Sequence, residues 1–431
     1  MQRLDRREAR FDQAFRALLA MKREVSEDVD ATVRAILADV RNRGDAAVAD
    51  YTLRFDKVDL GATGMIVSAA ERSAARAACD PVALAALELA AERIRVFHEK
   101  QKPVDHSFTD ALGVKLGWRY TPVDSAGLYV PGGSASSPSS VLMNAIPAKV
   151  AGVSHLAMVV PTPNGILNPL VLAAADIAGV DVVYRIGGAQ AVAALAYGTA
   201  TVMPVAKIVG PGNAFVAAAK RQVFGTVGID MIAGPSEVVI LADHTGNPDW
   251  IAADLLAQAE HDAAAQSILI TTDAALADAT AAAVQRQLTT LPRAAIARAS
   301  WDEFGAIIQV PDREDALGLI DRLAPEHLEL HVEDAEAFAG RVLHAGAIFI
   351  GAHTPEAIGD YVGGSNHVLP TARSARFASG LGVADFIKRT SLLSCSAEGL
   401  RALGPAAIAL GEAEGLQAHA RSVAIRMNLE R

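Results

Sequence analysis

Four stretches of the chain gather side chains that can handle metals or protons. In LLAQAEHD, residues 255–262, Gln258 and His261 stand three apart within a helical pattern, so both project from one face. An amide oxygen beside an imidazole can begin a site for a hard-to-borderline metal, and the same spacing also suits a solvated face with a chance histidine. In LAPEHLELH, residues 323–331, Glu326 and His327 are adjacent in an apolar setting able to perturb both pKa values. Histidine trades protons near neutrality and a neighbouring carboxylate can activate a water. Equally, Glu326 can stand in the first turn of a helix that starts after the proline. GDYVGGSNHVLPT, residues 359–371, is rich in turn formers yet carries Asp360, Tyr361 and His367, and loops that present such groups are often functional. GEAEGLQAHARS, residues 411–422, places Glu414 and His419 five apart, which alone reads as surface.

A second set of residues could hold a phosphate or a nucleotide. Pro131-Gly132-Gly133, Gly187-Gly188 and Gly210-Pro211-Gly212-Asn213 fall at the ends of strand-like runs, where open α/β sheets bind ligands, although each also suits an ordinary turn. None completes G-x-G-x-x-G, because Phe215 stands where the third glycine would be, and no Gly-Lys pair exists to make a P-loop. A dinucleotide, if bound, is held without the usual glycine fingerprint. Ser236 lacks the G-x-S-x-G elbow of a hydrolase nucleophile.

The elements that must position these groups can be read from periodicity. Val33, Ile36, Leu37 and Val40 recur at helical spacing after a candidate N-cap, Ser26, and a second helical pattern spans 81–99. VKLGWRYTPV, residues 114–123, reads as a strand. From Gly127 short β-rich runs (GLYV, HLAMVV, VDVVY, AKIVG) alternate with helical patterns, and a second such series begins after Gly234 (VVILAD, QSILIT, AIIQV, AIFIG). The alternation predicts βαβ units and two parallel-sheet α/β domains of related architecture. The last fifty or so residues read as a mainly helical appendage.

Composition limits the function classes. The 431 residues are 51% hydrophobic and 20% charged, as expected of a well-packed globular enzyme. A net charge of −10 argues against nucleic acid and anionic membrane as partners. Two distant cysteines, Cys79 and Cys395, form neither a disulfide framework nor a thiolate metal cluster and favour a reducing, cytoplasmic setting. The charged start MQRLDRREARFDQAF has no apolar h-region, and the most apolar stretch, 141–160, is broken by Asn144, Pro147, Lys149 and His155, so it reads as core and not as a bilayer span.

Together the motifs resemble the histidinol dehydrogenase family over nearly the whole chain. The resemblance is carried, in order, by YVPGG (129–133), PSSVLMNAIPAKVAGV (138–153), RIGGAQAVAALAYGT (185–199), VGPGNAFV (209–216), IDMIAGPSEV (229–238), LLAQAEHD, LAPEHLEL, GDYVGGSNHVLPT and the C-terminal EGLQAHA. It implies a zinc ion held by Gln258, His261, Asp360 and His419, whose task is to anchor the substrate through imidazole and amino nitrogens. It implies that His327 takes the alcohol proton as hydride leaves to NAD, and that Glu326 activates the water that adds to the aldehyde before a second hydride transfer. Two NAD would be used per turnover, in the last steps of histidine biosynthesis, with the aldehyde retained in a closed pocket. Ser236, His367 and Glu414 match substrate contacts, beside the zinc ligands and His327, and Tyr129, Gln190 and Asn213 match NAD contacts.

The fold implied is two Rossmann-like domains lacking the GxGxxG fingerprint: 25–128 with 236–375, bearing the metal and catalytic residues, and 129–235, bearing the NAD contacts. Small helical segments, 1–24 and 376–431, flank them. The resemblance implies that the latter is exchanged in a homodimer, so that His419 and Glu414 would complete the partner's site. Ser137 departs from the aromatic many relatives have before Pro138. A related zinc enzyme acting on another alcohol, such as a sulfonated diol, would want an Arg or Lys aimed at the anion, whereas Glu414 and Asp360 favour an ammonium group. A non-catalytic zinc protein on this scaffold would lack the Glu326–His327 pair.

Overall fold

Glu237–Ala242 and Gln266–Thr271 are rich in β-branched residues and apolar on both faces, and every residue in them is buried. That pattern suits parallel strands covered by helices on each side. In the computed structural model, which describes residues 1–21, 27–132, 137–232 and 234–428, they form the middle of a six-stranded sheet; Ser26 and Gly133 lie outside the described residues. Its strand order is Gln2–Asp5, Ala306–Gln309, Gln266–Thr271, Glu237–Ala242, His327–His331, Ala347–Ile350, with every pairing parallel. A five-stranded parallel sheet has the order Val182–Tyr184, His155–Val159, Ser125–Tyr129, Lys207–Val209, Gly228–Ile229. From Glu237 in one sheet and Ser125 in the other, the next two strands step to one side and the two after those to the other. The two sheets therefore share one doubly wound order, as two domains of related architecture require.

The chain falls into two units, Met1–Gln101 with Asp124–Phe386, and Lys102–Val123 with Ile387–Arg431. Both parallel sheets belong to the first. Its helices form where their caps and stripes dictate: Pro81–Glu99 begins with proline at its first turn and with Asp80 accepting from the Val82 and Ala83 N–H groups. Two expectations need amending here. Gln2–Asp5 is an edge strand paired with Ala306–Gln309, where the sequence predicts only helix; four residues of mixed polarity carry too little pattern to read. The Glu27–Arg43 and Asp45–Asp56 helices pack with the five-stranded layer, Val33, Ile36, Leu37 and Val40 lying in one core cluster with Val192, Leu195 and Val216, although the sequence reading attaches 25–128 to the other sheet. Their apolar stripe fits either sheet, and only long-range packing decides.

The second unit is an antiparallel sheet, His106–Thr109 and Ile387–Ser394 flanking Lys115–Pro122, with the helices Ala397–Ala413 and Gln417–Ala424 sharing a small core of Ile408, Ala420 and Ala424. The strand read from VKLGWRYTPV is present, but 376–431 is not purely helical. Ile387–Ser394 is exposed along nearly its whole length and polar at several positions, and it becomes recognisable as a strand only beside its partner. Among the described residues no helix is long and apolar enough to cross a membrane.

Candidate active site

A cavity of about 780 Å³ opens in the first unit between the two parallel sheets. The five-stranded sheet contributes residues just past the ends of its strands: Pro131, Gly210, Pro211 and Asp230. The six-stranded sheet contributes the opposite edge, where strands begin: Ser236 precedes Glu237–Ala242, and Glu326 precedes His327–His331. Gln258, His261, Glu356, Asp360 and His367 complete the polar wall.

LAPEHLELH is thus a turn entering a strand and not a helix start. His327, its first strand residue, pairs in register with Val238 on one side and Ala347 on the other. Its Nδ1 lies 3.0 Å from the Glu237 carbonyl, which only accepts, so Nδ1 carries the proton and Nε2 is left as acceptor. Glu326 Oε2 accepts the Glu237 N–H at 3.0 Å and lies 3.8 Å from the ring. His327 Nε2 is 3.9 Å from Asp360 Oδ1, and His327 Nδ1 is 3.8 Å from Glu356 Oε2. Burial pulls the His327 pKa down to about 4 and raises Glu326 well above the usual carboxylate range. A strongly perturbed acid and base in one cavity make Glu326 and His327 a candidate catalytic pair.

Gln258 lies in the last turn of the Pro248–Ala259 helix, buried to 1% exposure. The helix stops there, so His261 stands beyond it in a turn, with its N–H on the Gln258 carbonyl. Asp262 takes the Ala264 N–H at 2.8 Å, a local bond that competes with continued helix. His261 is exposed as a residue, yet protein packed about its ring lowers its pKa. Asp360 projects from the short Glu356–Tyr361 helix, one turn after Glu356, and ligand atoms of His261, Glu356 and Asp360 all lie within 4.8 Å of one another. Asp360 is pushed up to about 7 by burial and then by the Glu329 charge; Glu356 is raised well above its usual value by burial and then by Asp360. His367, at about 4 through burial and then His261, is set by Asn366, whose Nδ2 donates to the Met143 carbonyl at 2.7 Å.

Gln258 Oε1 and Nε2, His327 Nε2, Glu356 Oε2 and His367 Nε2 are all buried without a hydrogen-bond partner. Each such atom costs about 1–3 kcal/mol when left so, and five in one cavity mark a place for a bound group. Amide oxygen, imidazole and carboxylate, with acids crowded until their pKa values rise, suit a divalent cation such as zinc.

The glycine turn on the other wall is built as rigidly. Gly210 has φ +112°, and a Cβ there would meet the Tyr129 carbonyl oxygen at 2.2 Å, so only glycine fits. Its N–H donates to Asp230 at 2.8 Å, its carbonyl accepts from Lys220 Nζ at 2.9 Å, and Lys220 and Asp230 form a fully buried ion pair. Tyr129 Oη accepts the Gly188 N–H at 2.9 Å, and Gln190 is buried two residues on. Asn213 caps the Ala214–Val223 helix through its side-chain oxygen. None of these three lines the cavity itself.

The structure thus gathers Ser236, Gln258, His261, Glu326, His327, Asp360 and His367 in one wall. Glu414 and His419 belong to the second unit, exposed at the end of one helix and within the next. Sequence reasoning missed Glu356, whose only signal is its four-residue spacing from Asp360, and the Lys220–Asp230 pair, which nothing local announces.

The family model described as Histidinol dehydrogenase matches residues 19–427. The chain is 67% identical over 427 residues to a histidinol dehydrogenase of Bradyrhizobium diazoefficiens, covering 99% of each, and 67% identical over 426 residues to that of Rhodopseudomonas palustris, again 99% of each. The crystal structure of histidinol dehydrogenase from Elizabethkingia anophelis superposes with a TM-score of 0.95 at 37% identity, over 99% of this chain and 98% of that one. With these matches spanning the whole architecture and the site it builds, the chain belongs to the histidinol dehydrogenase family.

Proposed function

We propose that this chain oxidises L-histidinol through L-histidinal to L-histidine with two NAD and a zinc ion, in the cytoplasm. The reading is carried by the buried Glu326–His327 pair facing the unpartnered atoms of Gln258, Glu356 and His367. Gln258, His261 and Asp360 would hold the zinc, with His419 supplied by a second copy of the chain. When bound, the ion supplies a Lewis-acid anchor for the imidazole and amino nitrogens of the substrate.

The chain's own residues do the rest. His327 Nε2, neutral because burial holds the ring's pKa at about 4, takes the hydroxyl proton as hydride leaves the carbinol carbon for NAD. Glu326, raised by burial, is a stronger base when ionised than an exposed carboxylate and removes a proton from the water that adds to the aldehyde. A second hydride transfer from that hydrate gives the carboxylate. One histidinol, one water and two NAD thus yield histidine, two NADH and three protons. Ser236 and His367 orient the substrate, and Tyr129, Gln190 and Asn213 serve the dinucleotide at the glycine turns.

A homodimer with exchanged C-terminal segments fits the second unit, where Leu393, Leu410 and Ile425 are 72%, 64% and 62% exposed, apolar area that a partner would cover. A sulfonated alcohol suits the cavity poorly. Arg293 stands exposed in the wall with its guanidinium on the His261 carbonyl, and Asp230, Glu326, Glu356 and Asp360 are acidic.

The test is NADH production by purified, zinc-loaded protein given L-histidinol, beside a chelated sample. Two NADH per histidinol, lost on chelation and restored by zinc, is the expected result. Folded, metal-replete dimer that makes no NADH would overturn the substrate assignment.

A further inference from the structure

The strand that begins with His327 carries two more polar side chains on the same face, because strand residues repeat every second position. Glu329 and His331 have side-chain exposures of 0% and 1%, in a place where an apolar pair would be expected. Facing them is Asp254, one helical turn before Gln258, and ligand-type atoms of Asp254, Glu329 and His331 lie within 4.8 Å of one another. Glu329 Oε2 is 3.2 Å from His331 Nε2, which is 3.8 Å from Asp254 Oδ2. Glu329 Oε1 accepts the N–H of Glu356 at 2.7 Å. Glu356 opens the short helix that carries Asp360, and the residue before it, Pro355, gives no side-chain cap. Glu329 is therefore that helix's cap, reaching in from the neighbouring strand.

A buried carboxylate persists only where donors surround it. His331 Nδ1 has no partner, so the imidazole proton belongs on Nε2, where Glu329 receives it. Burial and then the Glu329 charge push Asp254 up to about 8, which favours its protonated form as a third donor within 4.8 Å of Glu329. With the Glu356 N–H, three donors converge on one anion. They come from the helix holding Gln258, the strand holding His327 and the helix holding Asp360.

We propose that the Asp254–Glu329–His331 cluster is a brace that sets the zinc affinity of the site, with Glu329 as a positioning residue that fixes Asp360 against Gln258. This rests on the reading that Gln258, His261 and Asp360 hold zinc. None of the three brace residues lines the cavity. Their role is to hold two ligand-bearing helices in register on one strand, so that the ligands do not have to be ordered when the metal arrives. Outer partners of this kind commonly govern metal affinity by 10–100-fold.

The experiment measures the zinc dissociation constant of the full-length protein by competition with a chromophoric chelator, and the thermal midpoint of the metal-free protein beside it. Asp254→Ala removes a donor and should weaken zinc binding by about 10–100-fold. Asp254→Asn restores an N–H donor to Glu329 and should bind within about threefold of the parent, a rescue that general loosening of the core would not give. Glu329→Gln is the second variant should Asp254→Ala fold poorly. It keeps the volume but turns an N–H toward the His331 and Asp254 donors, and it should weaken zinc similarly. Unchanged zinc affinity in Asp254→Ala and Glu329→Gln, with Asp360→Ala defective, overturns the brace alone. Unchanged affinity in Asp360→Ala overturns the ligand reading beneath it. A second equivalent of zinc per chain, lost in Asp254→Ala while the first stays equally tight, would make the cluster a ligand site and overturn the brace.

Discussion

His327 has its proton placed by a backbone carbonyl and its charge removed by burial, so that one nitrogen is free to act as a base. His327→Asn keeps a donor toward the Glu237 carbonyl but has no basic nitrogen. It should retain zinc and bind histidinol while turnover falls by about 10²–10⁴-fold, the scale of general-base loss. Turnover near that of the parent, with metal content and substrate binding normal, would remove His327 from the role. Glu326 and His327 can be singled out in the sequence because adjacency survives any fold. Glu329 and His331 sit in the same nine-residue motif without drawing notice, since LELH means two further inward side chains only once the segment is known to be a strand. Glu356 stays hidden for a related reason: its distance from Asp360 matters only if a helix turn joins them.

Among the elements, the glycine turn after Lys207–Val209 is where the proposed dinucleotide edge would be made without the usual fingerprint. Lys220 on the next helix and Asp230 beyond the next strand grip Gly210 from both sides, at 2% and 1% side-chain exposure. Lys220→Met strands a buried carboxylate, a loss of about 3–5 kcal/mol for a broken buried pair, so the metal-free protein should melt several degrees lower. KM for NAD should rise as the turn loosens. The double variant Lys220→Met/Asp230→Leu, which removes the charge altogether, should recover much of the stability but not the KM. A KM unchanged in both variants would mean that the pair does not shape the cofactor edge. The alternation of β-rich and helical runs makes both series of βαβ units readable, since a covered parallel strand advertises itself by being apolar on both faces. The helix through LLAQAEHD is shorter than its periodicity implies: it ends at Ala259, and beyond it Asp262 accepts the Ala264 N–H in a turn that periodicity does not register.

At the scale of the molecule, the predicted assignment of Glu414 and His419 to a partner's cavity can be tested by mixing. His327→Asn and His419→Asn chains, each inactive alone, should regain part of the parental activity once their subunits exchange, because a hybrid dimer has one site with both residues intact. No recovery after exchange proven by differently tagged chains would count against a shared site. Chain-wide organisation is the least legible level. The apolar stripe of Glu27–Arg43 is plain in the sequence, but which sheet it covers depends on partners such as Val192 and Val216, far along the chain.

The two walls of the cavity differ in how freely they can change. The catalytic wall is made of strand beginnings, and His327 is paired to a neighbour on either side, so its backbone cannot drift without unzipping the sheet. The facing wall, apart from its fixed Gly210 turn, is made of segments beyond strand ends and of helix starts, with Ser137, Ser139, Leu170 and Met231 among its side chains. Laboratory evolution toward other alcohols therefore has a natural division of territory. Diversity belongs in the facing wall, where the shape of the substrate can be renegotiated. The sheet opposite keeps the proposed proton acceptor at a fixed address.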